Sequence, residues 1–331
     1  MKVIITSINK PNKNNLLMVD DIRIGGHSLI LVGDKKTPSE WHMGGVEFLE
    51  YGDMKLKDFN YFDFAPVNHY ARKNLGYLQA MLDHEDWIYE TDDDNFNFDS
   101  PFVTRDLYLE GESFKSESTW LNIYTIFDSR VNPAYPIWPR GFDLKSINST
   151  IQPDGLRSAQ CPIQQGLAND DPDVDAIFRL LFKEKIKFME RKPVILGLDQ
   201  WAPINSQSTW WHRSAFRLLY LPSTCKFRLT DIVRGYVALA VLKSENRTIS
   251  FHSPVVYQER NEHDLFNDFS DEVTLYLRAR EVQEKLSELI FGVEQDQSQR
   301  ILKCYETLVD LGVVEEAEIA SLKAWLSDFS D

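Results

Sequence analysis

Three consecutive carboxylates, Asp92, Asp93 and Asp94, directly follow a short apolar and aromatic run at residues 87–91. Like charges held within several ångströms repel one another, so such a cluster gains stability when a cation binds to it. Carboxylate oxygens suit Mg²⁺ or Mn²⁺, which keep part of their water shell and share ligands with substrate phosphates. The cluster therefore indicates a divalent metal ion, although an acidic surface turn or a calcium loop would also use these residues.

The spacing within the cluster adds information. Side chains alternate along an extended chain, so Asp92 and Asp94 are expected to point to one side and Asp93 to the other. Two carboxylates separated by one residue form an Asp-x-Asp arrangement, which is typical of glycosyltransferases that use nucleotide sugars. A phosphorylated substrate would also need cations, because the chain as a whole has a formal net charge of −15.

Two basic pairs could supply those cations. Lys35 and Lys36 follow the end of the second predicted strand, and Arg72 and Lys73 stand early in a predicted helix, on the face away from its apolar stripe. A helix N-terminus favours anions, and basic side chains form strong hydrogen bonds with phosphate. Either pair alone would be ordinary surface charge, but two pairs at the ligand-facing ends of one sheet favour a phosphate site.

Aromatic side chains beside polar groups form a further set of candidates. Trp138 and Arg140 belong to one such segment, and Trp210 and Trp211 to another. Sugars present an apolar face that packs on aromatic rings, so these residues are candidate sugar or acceptor contacts. The alternative is packing in the hydrophobic core, which accounts for most tryptophans.

Three further residues are less specific. Asp231 opens a predicted helix, where a carboxylate caps free N–H groups, and chemistry alone favours that capping role. His252 and His263 could complete a metal site or lie at the surface. The sequence has no Gly-Lys-Ser/Thr phosphate loop, no Gly-x-Ser-x-Gly and no Gly-x-Gly-x-x-Gly, which excludes P-loop kinases, α/β-hydrolases and standard dinucleotide enzymes.

The elements that must position these residues alternate between strand and helix in the first hundred residues. Residues 3–7 and 28–32 are continuous apolar runs, typical of buried parallel strands, and residues 14–24 predict the helix between them. A second helix is predicted from an N-cap at Asn68, before the strand at 87–91. Ligands of such α/β sheets bind at the carboxyl ends of the strands.

The rest of the chain is predicted less regularly. Residues 100–165 are expected to form loops and short strands, and helices are expected to begin at Asp171 and at Thr230. After about residue 270 only helical periodicity remains, with amphipathic stripes that need a partner surface. The catalytic domain, a second subunit or a membrane-bound complex could provide that surface.

Composition limits the function classes. A chain with 43% hydrophobic and 12% aromatic residues is folded, and its negative charge argues against a nucleic-acid binder. No apolar run is long enough to cross a bilayer, and no secretory leader is visible. The three cysteines are odd in number and far apart, which predicts a reducing compartment.

Segments spread in order over roughly residues 1 to 270 resemble the STELLO glycosyltransferase-like family. They are ILVGDKKTP at 30–38, ARKNLGY at 71–77, YETDDDN at 89–95, WPRGF at 138–142, QQGL at 164–167 with DPDVDA at 171–176, NSQ at 205–207, DIVRGY at 231–236 and QERNEHD at 258–264. The resemblance implies an α/β fold of the GT-A type, a Rossmann-like mixed sheet flanked by helices. Residues 1–268 would form this domain, and residues 269–331 a helical C-terminal appendage accessory to the site.

The resemblance also implies roles for the candidate residues. Asp92 and Asp94 would bind Mn²⁺ or Mg²⁺, with His263 as a third ligand and His252 in reserve. The donor would contact Asp34, Lys35, Lys36, Arg72, Lys73 and Asp93, and Asp231 would be the catalytic base.

The reaction implied is transfer of a sugar, with inversion, from a nucleotide-diphosphate donor to a hydroxyl of a polysaccharide or a lipid-linked glycan. Since no membrane anchor like that of the plant members is visible, we expect a cytoplasmic enzyme, peripheral to the inner face of the membrane beside a glycan assembly complex. The alternative is an inactive scaffold of the same fold that binds a polysaccharide synthase or a glycan. A nucleotidyltransferase would also use paired carboxylates, but residues 7–15 lack the glycine-rich loop expected of one.

Overall fold

The computed structural model describes residues 1–11, 13–97, 102–103, 105–259 and 264–329. Its strands are β1 (Lys2–Thr6), β2 (Ser28–Val32), β3 (Val46–Leu49), β4 (Trp87–Thr91), β5 (Asn95–Asn97), β6 (Tyr108–Ser116), β7 (Ile151–Gln160), β8 (Ile163–Asn169), β9 (Val194–Ile195), β10 (Ser208–His212) and β11 (Ile249–Gln258). Its α-helices are α1 (Lys13–Ile24), α2 (Lys73–Met81), α3 (Ile123–Phe127), α4 (Ala176–Leu181), α5 (Thr230–Ser244), α6 (Leu265–Ser287), α7 (Gln297–Asp310) and α8 (Glu318–Ser327).

Within these described residues, the strands join into one mixed sheet. Their order is β3-β2-β1-β4-β10-β8-β11-β9-β6-β7, and β5 pairs with β11. The first four strands of this order run parallel, whereas β10 is antiparallel to both of its neighbours. The predicted α/β class, with a mixed sheet, flanking helices and a helical C-terminal part, is confirmed.

Helix α2 lies unusually close to the parallel strands because of one residue. A Cβ atom added at Gly76 would collide with the side chains of Val32 and Ile4, so glycine allows the helix to approach the sheet. The predicted N-cap is wrong. Asn68 has a φ of 54°, and His69 instead caps a short 3₁₀ turn that leads into α2.

The middle of the chain departs from its prediction. Strands β6 and β7 form a long antiparallel pair rather than the predicted loops and short strands, and most of β7 is exposed at the edge of the sheet. An exposed edge strand does not need an apolar pattern, so β7 has no periodicity that would reveal it in the sequence. The helix expected from Asp171 begins at Ala176, capped by Asp175, while Asp171 forms an ion pair with Arg179.

The C-terminal helices pack against the sheet domain. Glu318 of α8 is fully buried and accepts hydrogen bonds from the backbone N–H groups of Ser223 and Thr224. The predicted boundary between residues 268 and 269 falls inside α6. No helix among the described residues combines the length and the apolar composition that crossing a membrane requires.

Candidate active site

A cavity of about 420 Å³ opens at the carboxyl ends of three parallel strands. Its wall includes Ser7 after β1, Asp34 after β2, and the acidic cluster after β4. The sequence leads to this arrangement because parallel strands end at one edge of a sheet, where α/β folds bind their ligands. A second wall comes from the other half of the chain and includes Phe227 and Asp231.

Asp92 is held at the centre of this site by two neighbours. Its Oδ1 accepts a hydrogen bond of 3.0 Å from the Tyr70 hydroxyl, and the Lys73 ammonium lies 3.8 Å away. The pKa of Asp92 is raised to about 7, because burial, together with the charge of Asp94, outweighs the opposing effect of Lys73. The two carboxylates therefore repel each other in a partly dry environment, a cost that a bound cation would offset.

The other two carboxylates of the cluster have different partners. Asp93 accepts hydrogen bonds from the Ser7 hydroxyl, at 2.5 Å, and from the Asn9 amide, at 3.2 Å. Asp94 accepts one of 2.9 Å from the Gln258 amide. Asp93 is thus tied to the end of β1, and Asp94 to the end of β11.

These residues fit a divalent metal ion. Asp92 and Asp94 offer carboxylate oxygens in a shared cavity, and Mg²⁺ and Mn²⁺ take one or two protein carboxylates together with waters and substrate phosphates. The described part of the chain holds no group of three or more His, Cys, Asp or Glu residues arranged as a metal site. His263, predicted as the third ligand, lies outside the described residues.

His252 does not take the place of that ligand. It lies in β11 with an almost fully buried side chain, and both ring nitrogens are engaged, Nε2 with Ser250 and Nδ1 with Arg105. Burial, together with the nearby charge of Arg105, lowers its pKa to about 3. The ring is a neutral member of the core.

Of the first basic pair, one residue lines the cavity and the other does not. Lys36 is exposed and lines it, whereas Lys35 is exposed but is not part of its wall. Asp34 lines the cavity, and both of its oxygens accept backbone hydrogen bonds, Oδ2 from His69 and Oδ1 from Lys35. Asp34 therefore holds the end of β2 against the turn before α2.

The second basic pair was expected on the free face of α2, and that placement is wrong. The Arg72 side chain lines the cavity but is 4% exposed, and its guanidinium donates to the carbonyl oxygens of Gly33 and Pro66. Lys73 is fully buried, and its ammonium donates to Tyr70 and to the Thr91 carbonyl. Both cations support the walls of the site, because the sheet and the loop before α2 cover the face that sequence periodicity left free.

Asp231 lines the cavity at the start of α5, as predicted, but in an unexpected environment. The Arg140 guanidinium donates to both of its oxygens, at 3.0 and 2.9 Å, and also binds Asp173. Burial by itself would raise the pKa of Asp231, but the Arg140 charge outweighs it and holds that pKa below its usual value. Arg140, predicted as an acceptor contact, is thus a buried ion-pair partner that also lines the cavity.

The tryptophans predicted as sugar contacts lie in the core instead. Trp210 and Trp211 are fully buried in β10, which is covered by β4 and β8 on its two edges. Trp211 donates a hydrogen bond of 2.8 Å to Glu90, and Trp138 donates one of 2.7 Å to Asp175. The expectation that these rings contact a sugar or an acceptor is wrong, because Trp210 and Trp211 are buried in a central strand and Trp138 is buried against Asp175.

Several cavity residues were missed by sequence reasoning. Ser7, His69, Tyr70, Phe227 and Arg228 all line the wall. Ser7 could have been found from its position at the end of β1. Phe227 and Arg228 lie in a short 3₁₀ helix just before α5, and nothing in their spacing marks them as part of a site.

Arg228 links the cavity to the C-terminal helices. Its Nε donates a hydrogen bond of 2.8 Å to Glu272 of α6. Glu272 is fully buried and also accepts a hydrogen bond of 2.9 Å from the backbone N–H of Ala176. Arg228 further lies 3.9 Å from Asp173. The C-terminal helices, predicted to be accessory to the site, thus contribute to it through α6, which supplies the carboxylate that holds one of its wall residues.

Comparisons with known proteins agree with the resemblance. No protein-family model matches the chain. It is 26% identical to "Probable glycosyltransferase STELLO2" of Arabidopsis thaliana over 355 residues, covering 99% of this chain and 44% of the relative. It is 27% identical to "Probable glycosyltransferase STELLO1" of the same plant over 278 residues, covering 78% of this chain and 35% of the relative. The resemblance to the STELLO family is thus confirmed, and the chain spans less than half the length of these relatives.

Proposed function

We propose that this protein is a glycosyltransferase that moves a sugar from a nucleotide-diphosphate donor to a hydroxyl of a polysaccharide or a lipid-linked glycan. The observation that carries this proposal is the acidic cluster Asp92–Asp94 at a strand end, facing a cavity at the ligand-binding edge of the sheet. The names of the two relatives support the same reaction class.

The donor side of the cavity would be the half built by β1, β2 and β4. Asp92 and Asp94 would hold Mn²⁺ or Mg²⁺, and such an ion would neutralise the charge of the diphosphate and stabilise it as a leaving group. Lys36 is exposed at this edge and suits a phosphate, while Ser7 and Asn9 keep Asp93 in place. Arg72 and Lys73 would act by supporting the wall and supplying nearby positive charge.

The acceptor side would be the wall that contains Asp231. In an inverting transfer the acceptor oxygen bonds to the anomeric carbon, the bond from that carbon to the diphosphate breaks, and the hydroxyl proton passes to a base. Asp231 is our candidate for that base because it faces the cavity and Arg140 keeps it ionised. Its weakest contacts are those to Ser206, at 3.3 Å, which a substrate hydroxyl could replace at Oδ2.

One observation favours the alternative of a catalytically inactive scaffold. Besides Arg140, the Asp231 oxygens accept N–H groups from Ile232, at 3.0 Å, and Ser206, at 3.3 Å, so the carboxylate already has the partners of a structural group. A scaffold of this kind would bind a polysaccharide synthase or a glycan without turning over a donor. Measuring release of the nucleotide from the donor separates the two functions, since only an enzyme releases it.

Calorimetric titration with UDP, GDP and CMP, each with Mn²⁺ and with excess EDTA, tests the donor site. We expect one nucleotide to bind well and to require the metal, and Asp92→Asn or Asp94→Asn to abolish the metal-dependent part. Asp310→Asn, an exposed residue at the end of α7, is the matched control for the change in charge. Equal affinity for every nucleotide in EDTA would exclude the metal role.

A further inference from the structure

His69 lines the cavity, and its ring has a fixed tautomer. Its Nδ1 accepts a hydrogen bond of 3.0 Å from the backbone N–H of Ala71. A ring nitrogen that accepts carries no proton, so the proton of the neutral imidazole is on Nε2. Burial lowers the pKa of His69, against the opposing charges of Glu318 and Asp34, which favours this neutral form near pH 7.

The ring is also held in place. The backbone N–H of His69 donates to Asp34 at the end of β2, at 3.0 Å. The ring packs against Phe227, with centroids 6.2 Å apart and planes at 75°. Both Phe227 and His69 line the cavity, so the imidazole forms part of its wall. A donor held from two sides loses little entropy on binding a ligand.

A diphosphate in this cavity would need such a donor, because most of the cations around it are already engaged. Arg72 binds two carbonyl groups, Arg140 binds two carboxylates and Arg228 binds Glu272. Of the lysines and arginines that line the cavity in the described part of the chain, Lys36 is the exposed one. One lysine and a metal ion leave several phosphate oxygens without a protein partner.

The position of His69 selects the part of the ligand that it can reach. On one side its backbone N–H donates a hydrogen bond to Asp34, which follows β2. On the other side the adjacent Tyr70 hydroxyl donates a hydrogen bond to Asp92, which follows β4. A ligand that extends from the end of β2 to the acidic cluster therefore passes His69. In the proposed donor, the group that joins the nucleoside to the sugar at the metal site is the diphosphate.

We infer that His69 donates a hydrogen bond from Nε2 to the diphosphate and so distinguishes nucleoside diphosphates from monophosphates. This inference rests on the proposed function, because it assumes a nucleotide donor in the cavity. It concerns recognition alone, and no proton leaves the ring.

Two substitutions of His69 distinguish the Nε2 group, which would donate to the ligand, from the Nδ1 atom, which accepts from the backbone of Ala71. In His69→Asn, the amide oxygen can take the position of Nδ1 and keep the bond to Ala71, but the side chain is too short to replace Nε2. In His69→Gln, the amide nitrogen can reach the position of Nε2. His42→Phe, at an exposed position, is the control for loss of a histidine elsewhere.

The experiment is calorimetric titration of each variant, in Mn²⁺, with the diphosphate and the monophosphate of the nucleoside that wild type binds best. We expect His69→Asn to weaken diphosphate binding by about tenfold or more, the effect of losing a hydrogen bond to a charged group. Monophosphate affinity should change less than about twofold, and His69→Gln should restore most of the loss. Equal weakening of both ligands, or an unchanged preference in His69→Asn, would overturn the inference.

A second measurement needs no substitution. Long-range ¹H–¹⁵N NMR of the histidine rings in wild type reports the tautomer, and we expect His69 to carry its proton on Nε2 and to shift on adding diphosphate but not monophosphate. A proton on Nδ1 would overturn the inference. If wild type binds no nucleotide at all, the proposed function fails and this inference fails with it. A wild type that binds nucleotides while His69→Asn keeps its preference refutes the inference alone.

Discussion

Arg140 and Asp231 form a buried, bidentate ion pair in the cavity wall, with Nη1 3.0 Å from Oδ1 and Nη2 2.9 Å from Oδ2. The pair joins the 138–142 segment to the start of α5, two parts of the chain that are about 90 residues apart. Because Asp173 binds the same guanidinium, one arginine balances two carboxylates. The candidate base is therefore fixed in position and ionised, at the cost of some basicity.

Asp231→Asn should lower the transfer rate by about a hundredfold or more, the usual scale of general-base catalysis, while donor and metal binding stay at wild-type level. The amide keeps the shape of the carboxylate and most of its capping capacity, and Arg140 retains Asp173 as a partner. Single-turnover transfer to the identified acceptor measures the effect. Wild-type turnover in this variant, or retention of the donor's anomeric configuration, would remove Asp231 from the mechanism.

Arg140→Gln should lower the free energy of unfolding far more than a substitution that breaks an exposed ion pair. Removing the guanidinium leaves Asp173 and Asp231 buried without their shared partner, and breaking a buried pair costs about 3 to 5 kcal/mol. Urea unfolding gives the change in the free energy of unfolding. Arg278→Gln, which breaks an exposed pair with Glu281 on α6, should cost under about 1 kcal/mol. Similar losses in the two variants would show that the Arg140 network contributes little.

Glu272→Gln should impair the site from a distance, because this residue of α6 holds Arg228 in the cavity wall. We expect a loss of about 3 kcal/mol in the free energy of unfolding, since Arg228 is left without its main partner. The rate of sugar transfer, measured on folded protein, should also fall. Asp271→Asn, the neighbouring residue with a longer contact of 3.9 Å to Lys226, is the control. Unchanged transfer in a destabilised Glu272→Gln protein would confine α6 to a structural role.

Lys243 should make stability depend on pH above neutrality. Its ammonium lies over the Trp201 ring, 4.6 Å from the centroid, and has no hydrogen-bond partner among the described residues. Burial lowers its pKa to about 7, and the charge of Asp199 only partly opposes that. Between about pH 7 and its ordinary value of 10.5 the unfolded chain holds one more proton, so this group makes stability rise with pH.

Lys243→Met should remove that contribution and raise stability at pH 7. The comparison is the difference in free energy of unfolding between variant and wild type at pH 7 and pH 9.5, which cancels the titration of other groups. A difference that does not shrink as pH rises would contradict the assignment.

Three of the four parallel strands, β1, β2 and β4, could be predicted from sequence because they are short runs rich in apolar and β-branched residues, with Gly33 after β2 and Asp92 after β4, whereas β3 was not predicted. The positions of the acidic cluster and of Asp34 followed from those strand ends. The long antiparallel pair of β6 and β7 could not be predicted, since an exposed edge strand does not require alternation.

The environments of the predicted residues were harder to foresee than their positions. Whether a cation is free or engaged depends on partners far away in sequence. Lys73 is buried against Thr91, and Arg140 is paired with Asp231. Trp210 and Trp211 look like exposed rings beside polar residues until β10 is placed at the centre of the sheet. Periodicity reports one face of an element, whereas a site is built where several elements meet.

The most direct test of the account is release of nucleotide diphosphate from a panel of UDP- and GDP-sugars in the presence of Mn²⁺, with wild type and Asp92→Asn compared. We predict that wild type releases the nucleoside diphosphate from at least one donor and that EDTA stops this release. The Asp92→Asn variant should show no release at any Mn²⁺ concentration. Release that continues in EDTA or in Asp92→Asn, or no release from any donor with the expected acceptor classes present, would contradict the claim that the acidic cluster is the metal-dependent centre of a glycosyltransferase.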